Sequence, residues 1–325
     1  MKGLELSKAY YKEYGINMIR DNFPDYENRI AVGLAGFGSE CYGFDDEIST
    51  DHDFGPSFCM WLTDEDYTAI GSRLEKCYEE LPREFSGYER NVTSHGNGRV
   101  GVLKISDFYK GFIGNETGRL TLNEWLFVPE HFFSMATNGE MFRDDLGEFS
   151  KFRTTLLKYY PEDVRIKKIA ARAAAMAQSG QYNYSRSMRR EEIVAARMAL
   201  DEFIRSTISM AYLLNKKFIP FYKWMHRGMK EFSILPDIRG KLEDLAGMPI
   251  QTDSWKKEEQ MYWQYRLNMS DKGVALIESI CESVIEELIN QNLTNKNDSF
   301  LENHTTSIMS GIKNEQIRRM HVMRG

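Results

Sequence analysis

The sequence predicts an α+β protein of two domains, with strands gathered in the first half and a helical bundle in the second. At 325 residues it exceeds the size, about 250 to 300 residues, at which a single hydrophobic core stops growing. Short apolar runs bounded by Gly, Pro and Asp mark the first part of the chain, and no strand with clear alternation is expected beyond residue 130. From about residue 150 apolar side chains recur at helical spacing. The expected domains are therefore 1–148 and 149–325.

Taken in order, residues 5–20 read as an amphipathic helix and Ile30 to Ala35 as a buried strand that stops at the turn Gly36-Phe37-Gly38-Ser39. Residues 51–62 read as a second strand interrupted at Gly55-Pro56, 64–80 as a helix opening on an acidic cluster, and 99–105 as a third strand. Helices are expected at 162–179, 188–216, 220–232, 254–268 and 272–292, with Gly180-Gln181-Tyr182-Asn183 and Pro220 as breaks. The polar stretch 294–305 reads as a loop before a last helix.

Composition narrows the function classes. The opening MKGLELSKAYYKEYG has no apolar run long enough for a signal peptide or membrane span, so a soluble, cytoplasmic protein without membrane contact is expected. Cys41, Cys59, Cys77 and Cys281 lack CxxC spacing, which predicts buried thiols rather than disulfides or structural zinc. A net charge of −6 disfavours nucleic acid as the partner. The charge is uneven, however: residues 161–230 carry fourteen Lys/Arg and six Asp/Glu, a balance of +8, so the rest sums to −14. That basic segment is expected to face something anionic.

The chemistry concentrates in residues 36–56, GFGSECYGFDDEISTDHDFGP. Glycine after a strand lets the backbone approach a phosphate, and the Ser39 hydroxyl with the N–H groups that follow, at an expected helix start, can donate to its oxygens. Asp51 and Asp53 follow twelve and fourteen residues after Ser39. On a strand of period two they would project from one face, where two carboxylates are costly without a cation between them. Mg2+ suits that pair, because it prefers hard oxygen ligands and is commonly shared between carboxylates and substrate phosphates. Gly38 and Ser39 as a phosphate cradle, with Asp51 and Asp53 as metal ligands and catalytic groups, make a metal–triphosphate site.

This segment resembles the signature of the polymerase-β-like nucleotidyltransferase superfamily. It is more similar still to an uncharacterised bacterial family of nucleotidyltransferase-like proteins whose Asp-His-Asp-x-Gly-Pro run corresponds to Ser49 to Pro56 here. The resemblance continues through Arg143-Asp144-Asp145, Gly180-Gln181-Tyr182-Asn183 with Arg186 and Arg190, and Leu213-Leu214-Asn215 followed by Pro220, Lys223 and Trp224. It implies a small mixed β-sheet nucleotidyltransferase domain followed by an α-helical bundle that closes over the nucleotide. It also makes Arg186, Arg190 and Lys223 candidates for the triphosphate tail, since guanidinium and ammonium groups bind phosphate oxygens.

The chain departs from the superfamily pattern at the third carboxylate, for Gly101 stands where an acid is expected on the third strand. Glu89 and Asp107 are the nearest candidates in sequence, and Glu191 or Glu192 could act from the helical half, though both read as first-turn acids of a helix. His52 reads as structural and His95 as a turn residue. Tyr159, Tyr160, Tyr182, Tyr184, Tyr212 and Tyr222, and Met176, Met188, Met198 and Met210, read mostly as core. Gly36 to Cys41 lacks the third glycine of a dinucleotide fingerprint, and no GxxxxGK[ST] loop occurs. The expected activity is Mg2+-dependent transfer of AMP from ATP, or of another nucleoside monophosphate, to a hydroxyl of a small-molecule acceptor. The alternatives are a catalytically impaired nucleotide-binding regulator, or transfer to a protein or RNA acceptor. The aromatic-rich helical half is also a candidate homodimer face.

Overall fold

The computed structural model describes residues 1–50, 54–90, 98–255 and 267–325. The chain divides into two compact units, Met1–Glu124 with Val128–Tyr159, and Trp125–Phe127 with Tyr160–Gly325. The fold is α+β, with a small mixed sheet in the first unit and helices throughout the second. No described helix is long and apolar enough to cross a membrane.

In the first unit, helix α1 (Gly3–Tyr10), a π turn (Tyr11–Gly15) and α2 (Ile16–Asn22) form one helical stretch. Strands β1 (Ala31–Leu34) and β2 (Cys59–Leu62) follow, then α3 (Asp64–Glu79), whose N-cap Thr63 accepts from the Asp66 N–H. A hairpin of β3 (Glu84–Phe85) and β4 (Tyr88–Glu89) precedes β5 (Gly101–Lys104) and α4 (Ile105–Ile113). Next come α5 (Leu122–Phe127), whose last three residues belong to the second unit, α6 (Glu130–Thr137), β6 (Glu140–Arg143) and α7 (Glu148–Leu157).

The main sheet has the order β5-β2-β1-β6, with β1 antiparallel to both neighbours and β5 parallel to β2. Both faces are covered, so its strands read as apolar runs rather than alternations. Val32, Met60, Leu62 and Val102 pack with Tyr10, Tyr11, Ile19, Ile70 and Leu74 in one core. On the other face Trp61 lies against Phe149, ring centroids 4.2 Å apart.

One strand expectation needs correction, and one strand is unforeseen. β2 begins at Cys59, because Gly55-Pro56 cannot continue a ladder and Phe54 to Phe58 belong to no strand; the expected start at 51–53 lies outside the described residues. A strand does occur after residue 130: β6 pairs with β1, but its four residues are all half-buried, so the alternation that marks a strand is missing.

In the second unit α8 (Glu162–Met176) runs without a break through a π segment (Ala177–Tyr184) into α9 (Ser185–Arg189). The expected break at Gly180–Asn183 is thus a π-helical stretch. Helix α10 (Ile193–Leu214) starts later than expected, and residues 220–232 form 3-10 turns (Tyr222–Trp224, Arg227–Glu231) rather than a helix. Pro220 and Gly228 explain the shortness of those turns. Helices α11 (Ile238–Gly247), α12 (Lys272–Asn290), α13 (Glu302–Ser310) and α14 (Glu315–Arg318) complete the unit, with α8 packed against α10 and α13. Most of the helix expected at 254–268 lies outside the described residues.

Three cations of the basic segment depart from the expectation of an offered surface, while Arg186, Arg190, Lys223 and most of the rest are exposed. Arg165, Lys167 and Lys168 are buried. Lys167 Nζ donates to the carbonyls of His321 at 3.0 Å, Val322 at 2.8 Å and Arg324. Lys168 Nζ donates to Leu126 O at 3.1 Å, and Arg165 reaches Glu162 and Gln291. These cations are consumed in holding the helical unit together, as buried charges must be. Tyr160, Tyr184, Tyr212, Met176, Met188 and Met210 are core as expected, whereas Tyr182, Tyr222 and Met198 are exposed.

Candidate functional site

The sheet register collects four loops at one end. Leu34 ends β1 beside Glu140, the start of β6; Gly33 pairs with Cys59, the start of β2; Cys59 pairs with Gly101, the start of β5. The turn leaving β1, the chain entering β2, residues 98–101 and Asn138–Gly139 therefore meet.

Gly36 is held by a double hydrogen bond, its N–H donating to Asn138 Oδ1 at 2.7 Å and its carbonyl accepting from Asn138 Nδ2 at 2.8 Å. Gly38 has φ +112°, a backbone state that favours glycine, and a Cβ there would collide with the Arg99 guanidinium and the Glu40 carboxylate. Arg99 pairs with Glu40 and donates from Nε to Phe37 O at 3.0 Å. The helix expected after Ser39 is a single 3-10 turn, Glu40–Tyr42, and Ser39 makes no capping hydrogen bond with its side chain. Helix-dipole support for an anion is accordingly small here; the cation beside Gly38 is Arg99.

Asp51, His52 and Asp53 lie outside the described residues, as does His95. Their chain neighbour Phe54 is buried against Gly3: a Cβ on Gly3 would meet Glu40 Cβ at 2.6 Å and Phe54 Cε2 at 2.9 Å. The residue directly after Asp53 and the Glu40 that borders Gly38 thus both close on Gly3. Asp45, buried, accepts the Gly3 N–H at 2.8 Å and fastens the same loop.

At Gly101, φ +97°, a Cβ would meet Glu75 Oε1 at 2.9 Å, and Glu75 Oε2 accepts the Val102 N–H at 2.8 Å. Burial pushes the Glu75 carboxyl up from its usual value. Where an acid is expected on the strand, a carboxylate arrives instead from α3. Glu89 is exposed on β4, with its backbone against Gly55, and Asp107 lines a cavity described below.

Residues 125–225 match a family described as Domain of unknown function (DUF4037). No curated protein and no solved structure matches the chain. The matched span covers α6 to α10 and includes Arg186, Arg190 and Lys223, but neither Gly38-Ser39 nor Asp51 and Asp53.

Within that span several of the polar residues that carried the resemblance are structural ties. Arg143 bonds Glu27 and Asn28, Asp144 accepts from Gly147 N and Ser150 N, and Asn215 exchanges hydrogen bonds with Ile234. Gln181 Nε2 donates to Glu278 Oε2 and Ser299 O, while its Oε1 accepts the Leu301 N–H. Arg186 lies over the Tyr182 ring at 4.7 Å and Lys223 near the Trp224 ring at 5.0 Å; both cations are exposed, as is Arg190. No hydrogen bond joins these three to one another among the described residues. Glu191 and Glu192 are not first-turn acids: Glu191 has φ +59° after α9, and Glu192 is the N-cap residue of α10.

Sequence reasoning missed Glu40, Asp45, Glu75 and Asn138, and saw Arg99 only as a strand residue. Glu40 stood next to Ser39 as a signal; nothing local marks Glu75 or Asn138, which arrive from distant elements.

Proposed function

We propose that this protein is a Mg2+-dependent nucleotidyltransferase that moves a nucleoside monophosphate, AMP from ATP in the first instance, to a hydroxyl of a small-molecule acceptor. The observation that carries the proposal is the shared sheet end: the Gly38-Ser39 turn after β1 meets the chain that leaves the Asp51-His52-Asp53 run, through Phe54, Gly3 and Glu40. Asp51 and Asp53 supply the hard oxygen donors that Mg2+ takes, and the bound ion would neutralise charge on the leaving pyrophosphate. The acceptor oxygen attacks the α-phosphorus, the bond from that phosphorus to the β-bridging oxygen breaks, pyrophosphate leaves, and the hydroxyl proton passes to a base or to water. Gly38 and Ser39 would bind phosphate oxygens in the positive field of Arg99, which Glu40 and Phe37 O hold in place.

Gly101 favours a second reading, a nucleotide-binding regulator without transfer, because Glu75 is already engaged by Val102 N–H. Pyrophosphate release on addition of small-molecule hydroxyl acceptors to protein, ATP and Mg2+ separates the two. Transfer predicts release that Asp51→Ala and Asp53→Ala abolish; release unchanged in those variants contradicts it.

A further inference from the structure

Beside the Gly36–Ser39 turn the first unit contains a cavity of about 260 Å3, walled by Phe37, Leu103, Phe108 and Phe112, with Arg99 and Asp107 among its lining. Phe37, held between two positive-φ glycines, is 52% exposed although its ring centroid is only 5.1 Å from that of Phe112. Phe108 meets Phe112 edge-on, 5.1 Å between centroids, so the wall is a fixed aromatic corner rather than a collapsed cluster. An apolar cavity of about 150 Å3 takes a benzene ring; one of about 260 Å3 accommodates a fused bicyclic ring.

The polar groups define what that ring carries. Arg99 is engaged by Glu40 and Phe37 O, so it forms wall and positive field rather than a free donor. Asp107 is exposed, and among the described residues no hydrogen bond or ion pair takes it. A carboxylate only accepts, so the ring must present an N–H.

We infer that this cavity binds a planar, amino-bearing bicyclic ring: the purine base of the donor nucleotide, stacked on Phe37, with its exocyclic amine donating to Asp107. The inference rests on the nucleotidyltransferase proposal, since Phe37 adjoins Gly38 and a phosphate held there brings the base to this corner.

Calorimetric titration of adenosine, purine riboside (the analogue without the amine), uridine and Mg-ATP tests it, on wild type, Phe37→Ala, Asp107→Asn and Asp51→Ala. Phe37 and Asp107 are exposed, so their replacement leaves the core intact. The expected result is adenosine binding at least about ten-fold tighter than purine riboside or uridine, weakened about ten-fold by Phe37→Ala, as base–aromatic stacking requires. Asp107→Asn should narrow the preference for the amine, because the amide oxygen still accepts but carries no full charge. Mg-ATP binding that Asp51→Ala weakens but Phe37→Ala and Asp107→Asn leave unchanged would overturn the pocket assignment and spare the nucleotidyltransferase proposal. Adenosine binding that depends on Phe37, with no added affinity for Mg-ATP, would uphold the pocket and overturn that proposal. Absence of binding by every ring would overturn the pocket.

Discussion

Glu75 reaches across Gly101 to accept the Val102 N–H at 2.8 Å, so the edge of β5 is closed by a carboxylate from α3. The same contact explains why residue 101 is glycine: φ +97° and a carboxylate 2.9 Å from the Cβ position exclude a side chain.

Restoring the acid expected on this strand should therefore fail. Gly101→Asp combines positive φ, overlap with Glu75 and like charge, and should cost about 2–3 kcal/mol. Gly101→Ala should cost less, about 1–2 kcal/mol. Urea unfolding checks both; wild-type midpoints would contradict the account of Gly101.

Glu75 also sets a pH dependence. Burial raises its folded-state pKa above the usual 4.5, so the folded protein holds this proton more tightly than the unfolded chain does. Its titration favours folding as pH falls through the raised value and disfavours it above. Glu75→Gln, which can still accept the Val102 N–H, should match or exceed wild-type stability at pH 7 and lose that advantage towards pH 4.5. Thermal melts of both proteins across that range decide; an advantage of the variant that grows as pH falls would contradict the burial account.

The thiols should react in a fixed order. Cys41, Cys59 and Cys281 are buried, and burial pushes Cys59 up to about 12 and the other two well above the usual range. Cys77 is half-buried, so an aromatic disulfide reagent at pH 8 should label it first and the others only on unfolding. Rapid labelling of Cys41 in the native protein would contradict the packing of the Gly38 turn.

A local stabilisation is available at Glu191. The Glu191 N–H donates to Met188 O and the Glu192 N–H to Ser187 O, both at 3.0 Å, the double bond of a Schellman end to α9, with Glu191 at the left-handed position. Glu191→Gly should stabilise by about 0.5–1 kcal/mol, because glycine relieves the strain of that position. A shift in the urea midpoint measures it; a loss of stability would mean that the Glu191 side chain carries contacts of its own.

Much of this architecture is legible in the sequence. β1 announces itself by an unbroken apolar run into Gly36, and α3 by Thr63 and the acids of its first turn. β6 is hidden because an edge strand of four half-buried residues carries no alternation, and its identity comes only from pairing with β1. The π segment is hidden because Gly180 and Asn183 look like breakers while Gln181 is fixed by Glu278, Ser299 and Leu301, residues about a hundred positions away. At the candidate site, Gly38 and Ser39 are visible as a motif, whereas Asn138 and Glu75 enter through long-range folding.

The most direct measurement is thermal unfolding with each of the four nucleoside triphosphates, with and without Mg2+, on wild type and on the Asp51→Ala/Asp53→Ala variant. A ligand at a hundred times its Kd adds about 2.7 kcal/mol. A Mg2+-dependent rise in Tm that selects one nucleotide and vanishes in the double variant is the predicted result. Equal melting temperatures with every nucleotide, with or without Mg2+, would contradict it.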